Sequence, residues 1–305
     1  LIAEKHKFGF LWDLSPDLCI AAAGKCQSFE LVGQRRYELS QRFTDETFQR
    51  LIDVRPEAPF ESKPRILFAF TFFEQTSEIN MGLEVAPAVQ AVLPSWQLSR
   101  SSGISWLRLN AVVPQESDVR DFAEKLCLMR QKLSNFSYDK VPCLNDSAPC
   151  VESSQDWETS YRLSLAKGID LVNSSQLKKL VVAVKQSIVL KDSLDPLLIL
   201  RTLRNHQKNS CRFLWQRSKD ESFFGASPER LLSLSQDKMV TDALAGTTSA
   251  GPHDVDLLKS EKDLREHELV VTSINNQLRS LGMMPCRSSK PVLAKYGNLV
   301  HLHTP

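Results

Sequence analysis

The sequence predicts an α+β layered sheet-and-helix fold. Three observations carry that prediction. Short apolar runs bounded by turn residues recur through the first third of the chain, two closely spaced strand pairs flank residue 228, and a long amphipathic helix follows them. Strands that come in runs before a helix argue against repeated βαβ units. The 305 residues allow one large domain or two small ones, and a 42% hydrophobic share can bury a sizeable core.

In chain order, residues 8–12, 19–23, 66–73, 85–93 and 104–113 read as strands, with a helical connection over 45–52. Residues 117–133 put Val119, Phe122, Leu126, Met129 and Leu133 on one helical face, with Ser117 as N-cap. Residues 134–155, rich in Ser, Asp, Asn, Pro and Cys, read as a loop. Trp157, Tyr161, Leu165 and Ile169, spaced by four, predict a second helix; 180–184 follows as a strand and 196–206 as a helix. Strands 211–217 and 222–226 join through 218–221, and strands 230–235 and 239–244 through 236–238. The helix after Pro252 carries apolar residues at 257, 264, 271, 274, 278 and 281 and stops at Gly282. The resulting division is 1–133, a loop over 134–156, and 157–305.

A net charge of +2 gives no basis for nucleic acid as a partner, and no apolar run approaches the roughly 20 residues of a membrane span. Seven scattered cysteines without a C-x-x-C pair point to a reducing compartment and mostly buried thiols.

Three segments carry chemistry. In Phe223-Phe224-Gly225-Ala226-Ser227-Pro228-Glu229-Arg230-Leu231, small residues end a strand and present Glu229 at a rim, where burial can make it a general acid. The plainer alternative is a turn glutamate paired with Arg230 or another surface base. In Thr241-Asp242-Ala243-Leu244-Ala245-Gly246-Thr247, bare amides and one hydroxyl suit a carboxylate. In Ser260-Glu261-Lys262-Asp263-Leu264-Arg265-Glu266-His267-Glu268-Leu269, helical spacing groups Glu266 with Lys262 and Asp263. A solvated helix face is the alternative there.

Together, in this order, the segments resemble the chorismate-utilising family of isochorismate, salicylate, anthranilate and aminodeoxychorismate synthases, with wording most similar to the isochorismate synthases. The resemblance implies the chorismate-binding fold of anthranilate synthase component I. It implies that Glu229 protonates the departing C4 hydroxyl of chorismate, that Gly246 and Thr247 line the substrate pocket, and that Glu266 holds Mg²⁺. His267 is expected to support the site or cap the helix.

The pattern also departs from the family, which places a water-activating lysine at the head of a central Lys-Val-Val strand. If Val181-Val182 match that pair, Leu180 takes the lysine position and the base is missing. Lys179 is then a candidate base only through a one-residue slip, which in a strand turns a side chain to the opposite face. The chain ends at Asn298–Pro305, similar to a Val-x-His-Leu strand after which family members continue, so the fold is expected to be C-terminally incomplete. The expectation is an isochorismate-synthase-like module, inactive by itself. It resembles the opening module of a plant phylloquinone-synthesis fusion, which implies a plastid stroma location and downstream pathway modules as partners. A fragment of an active Mg²⁺-dependent isomerase is the alternative, with a salicylate or anthranilate synthase behind it.

Overall fold

The computed structural model describes residues 8–14, 17–74, 87–113, 115, 118–135, 150–154, 157–184, 186–191, 194–235 and 237–305. Along the chain lie β1 (Gly9–Asp13), β2 (Cys19–Leu31), α1 (Arg36–Arg50), β3 (Leu67–Phe70), β4 (Val89–Ser101), β5 (Ile104–Leu109) and α2 (Asp118–Ser134). Next come β6 (Cys150–Ser154), α3 (Trp157–Asn173), β7 (Ser187–Leu190), α4 (Pro196–His206), β8 (Cys211–Gln216) and β9 (Ser222–Ser227). The remainder holds β10 (Ser233–Ser235), β11 (Lys238–Val240), β12 (Ala243–Ser249), α5 (Glu261–Ser280), β13 (Val292–Tyr296) and β14 (Leu299–Thr304). Helices and antiparallel strands mix as the α+β reading expects.

Two compact units divide these elements. Leu1–Val141 joins Cys211–Gly225, and Pro142–Ser210 joins Ala226–Pro305. The sequence division at 133 and 157 is therefore redrawn: the hairpin of β8 and β9 belongs with the N-terminal strands because β8 pairs with β1 (Gly9↔Gln216). No local pattern announces that pairing.

The first unit is a sheet of order β3-β4-β2-β1-β8-β9, with β5 also on β4. Phe8, Ala22, Leu67, Val92 and Trp215 form its core. Strand β4 is buried almost throughout, so its sequence does not alternate. Its buried Gln90 keeps both amide ends paired, accepting from Trp215 Nε1 (2.8 Å) and donating to Glu30 (2.9 Å).

In the second unit β12, β14 and β13 form an antiparallel sheet, with Leu257, Val300 and Leu302 as its core. Helix α5 starts at Glu261 rather than after Pro252. Ser260 caps it by accepting from the Asp263 amide (3.3 Å), and Leu257 sits in a preceding 3₁₀ turn, Asp254–Lys259. The expected strand partner over 239–244 also splits: β11 pairs β10, while Ala243 opens β12 and pairs Thr304. Residues 180–184 form no strand. They join no ladder among the described residues, with Val181 76% exposed, and the strand falls instead at β7, paired with β6. The expected Ser117 cap and most of the 134–155 loop lie outside the described residues.

Candidate active site

Every candidate site residue, Lys179, Glu229, Gly246, Thr247 and Glu266, falls in the second unit. Gly246 is a bulge: Ala245 pairs Leu302 and Thr247 pairs His301, leaving Gly246 between them at φ +78°. A Cβ there would also lie 3.2 Å from Asp263 Cβ and 3.2 Å from Leu302 Cδ1. Both the left-handed backbone and the close helix call for glycine. Gly246→Ala is therefore expected to cost about 1–2 kcal/mol. Urea unfolding measures that cost, and a midpoint unchanged from wild type would refute it.

His267 supports that bulge. It is 2% exposed, and burial pushes its pKa below the usual histidine value, against the hydrogen bond to Ala245. The ring is thus neutral. Nδ1–H donates to the Ala245 carbonyl (3.2 Å), so Nε2 accepts from the Thr304 hydroxyl (2.8 Å). The histidine ties α5 to β12 and β14, with both ring nitrogens engaged in these hydrogen bonds. Thr247, exposed, has its hydroxyl 2.9 Å from His301 Nδ1.

Glu229 follows β9 and is exposed. Gly225, just before, is filled by its own fold: a Cβ there would meet the Phe213 ring at 3.1 Å. Partial burial raises the Glu229 pKa, the negative charge of Asp242 adds to the rise, and Lys179 opposes it. The pairing of Glu229 with Arg230, the plainer alternative, does not form. Arg230 instead binds Asp242, Nε to Oδ2 at 2.8 Å and Nη2 to Oδ1 at 3.2 Å.

Lys179 lies where the sequence register did not place it. Its Nζ is 2.8 Å from Glu266 Oε1, whereas Leu180 packs on Gly168 of α3, its Cδ2 2.5 Å from where a Cβ would stand. Since 180–184 is not a strand, the alternation that excluded Lys179 does not apply. The lysine facing Glu266 is Lys179, and Leu180 is a packing residue.

Lys179 and Glu266 line a groove of about 490 Å³. Lys178, Lys262 and Arg265 line it too, with an apolar floor that includes Tyr161 and Leu269. Four cations against one carboxylate make it a basic groove, of a size suited to a small molecule. Glu229, Gly246 and Thr247 lie outside its lining. The clustering of these bases was not legible in sequence, because α5 and the irregular 174–184 stretch meet only in three dimensions. Nothing local in the sequence marks Asp242 as buried.

The model of the family described as chorismate binding enzyme matches residues 2–305. Isochorismate synthase MenF of Haemophilus influenzae is 31% identical over 115 residues, 35% of this chain and 27% of that protein. The chloroplastic isochorismate synthase of Catharanthus roseus is 24% identical over 180 residues, 56% of this chain and 29% of that protein. The chain therefore matches less than a third of these relatives' length. Among solved structures, the menaquinone-specific isochorismate synthase MenF of Escherichia coli superposes with TM-score 0.69 at 19% identity, covering 98% of this chain and 64% of that one. Anthranilate synthase component I of Streptococcus pneumoniae gives TM-score 0.69 at 14% identity, covering 96% and 68%. At such identities these structures establish the fold.

Proposed function

The chain belongs to the chorismate-binding enzyme family, and from that premise we propose that its second unit binds chorismate and converts it to isochorismate. The basic groove, with Lys179 held 2.8 Å from Glu266, carries this reading. Chorismate is a dianion, and lysines and an arginine beside apolar lining residues suit one of its carboxylates and its ring. In the proposed reaction Lys179, as the neutral amine, takes a proton from water as the water oxygen bonds to C2. Both ring double bonds shift, to C1–C6 and C4–C5, the C4–oxygen bond breaks, and Glu229 protonates the departing hydroxyl. The Gly246-Thr247 turn takes a substrate carboxylate.

Glu266 fits as one ligand for Mg²⁺. It is a hard oxygen donor beside the groove, and this ion commonly uses one or two carboxylates and completes its shell with water and substrate oxygens. When bound, Mg²⁺ supplies positive charge to a substrate carboxylate.

One observation favours a second reading. Lys179 is held in an ion pair with Glu266, as a structural cation would be. That arrangement suits an inert module that docks with other quinone-pathway modules. The similarity to MenF proteins and to the plant chloroplastic enzyme supports quinone biosynthesis and a plastid site. Incubating the folded chain with chorismate and Mg²⁺, with products separated by chromatography, tests the choice. Isochorismate is expected; its absence from a chain with native circular dichroism overturns the catalytic reading in favour of the docking one.

A further inference from the structure

One network joins the Glu229 turn to the β12–β14 sheet, and none of the roles above uses it. Asp242, at the entry to β12, is 9% exposed. It receives the bidentate fork of Arg230 at 2.8 and 3.2 Å and the Nε2–H of His303 from β14 at 3.0 Å. Burial alone would raise the Asp242 pKa, but the hydrogen bonds and charges of Arg230 and His303 outweigh it and hold the carboxyl below its usual range. It is a fixed, ionised anchor. The turn is pinned on both sides of Glu229 as well. Ser227 Oγ donates to the Glu229 carbonyl (3.3 Å), and Thr241 Oγ1 donates to the Leu231 carbonyl (2.8 Å).

A carboxyl on an exposed turn loses effectiveness as an acid if the turn wanders, because misplacement by about 1 Å can cost roughly 10²-fold in rate. Arg230 is the next residue along, and a two-point fork fixes direction as well as distance. We propose that Asp242, braced by His303, is a positioning residue that holds Glu229 in place through Arg230. The proposal rests on reading Glu229 as the acid. The charged and titratable groups facing Glu229 are Asp242, Lys179 and Tyr296, with Arg230 on its own turn.

Asp242→Asn in the full chain tests it with two readouts. In the ligand-free chain, amide hydrogen exchange across residues 227–232 is expected to rise about tenfold as the turn loosens. In turnover, kcat is expected to fall about 10²-fold with KM little changed. The high-pH loss of kcat should move to lower pH, since one negative charge no longer faces Glu229. Asp242→Glu should recover part of both. A purely structural role would lower the unfolding midpoint and leave the pH profile in place, which overturns the proposal; so does unchanged exchange in folded Asp242→Asn. If that variant does not fold, Arg230→Lys keeps the charge and loses the fork. The same exchange measurement then decides: faster exchange supports the anchoring, and unchanged exchange overturns it. Faster exchange in a chain whose parent makes no isochorismate upholds the anchoring and condemns only the assignment of Glu229.

Discussion

Glu229→Gln lowers kcat for isochorismate formation by an expected 10²- to 10⁴-fold, the range a positioned general acid supplies. Glutamine matches the carboxyl in shape and cannot give up a proton, so the loss isolates the proton transfer. Stability should not fall with it. At neutral pH the substitution removes a carboxylate from the field of Asp242, and no side-chain partner is broken, because Arg230 is bound to Asp242. An unchanged thermal midpoint with collapsed turnover is the expected pair of results.

The pH dependence follows from the same surroundings. Partial burial first and the Asp242 charge second raise the Glu229 pKa. The acid works only when protonated, so its contribution to kcat is lost as pH rises through that raised value. Activity that persists undiminished in Glu229→Gln would remove Glu229 from the mechanism.

Lys179→Met is expected to cost about 10²- to 10⁴-fold in kcat as well, by removing the acceptor of the water proton. The competing view makes Lys179 an ordinary partner of Glu266. With both side chains about a third exposed, such an ion pair contributes no more than about 1 kcal/mol. The two views therefore separate: a base gives a folded, inactive protein, while a mere ion-pair partner gives a slightly weakened, active one. Lys179→Arg sharpens the distinction. It preserves the pair with Glu266, yet a guanidinium does not give up its proton near neutral pH and so cannot take one from water. Turnover close to wild type in Lys179→Arg would exclude Lys179 as the base.

Local signals in the sequence found most elements. Asp195, whose side chain accepts from the Leu197 amide (2.9 Å), and Pro196 start α4 where the apolar spacing placed it, and the hairpin of β8 and β9 follows its polar turn closely. Errors fell where a distant partner decides. Residues 180–184 have strand composition and join no ladder, and Asp242 breaks the expected 239–244 strand because Arg230 and His303 hold it.

For the site, the sequence alone determined Glu229, Gly246, Thr247 and Glu266 as candidates and the family they suggest, because motif identity and spacing are written along the chain. It also fixed the need for glycine at 246 only as part of a motif; the bulge at φ +78° against Asp263 supplies the reason. Only the tertiary structure decided that Lys179 rather than Leu180 meets Glu266, that four cations gather in one groove, and that Asp242 anchors the turn of Glu229. Charge pairing and burial depend on groups tens of residues apart, up to 87 for Lys179 and Glu266, so no local period encodes them.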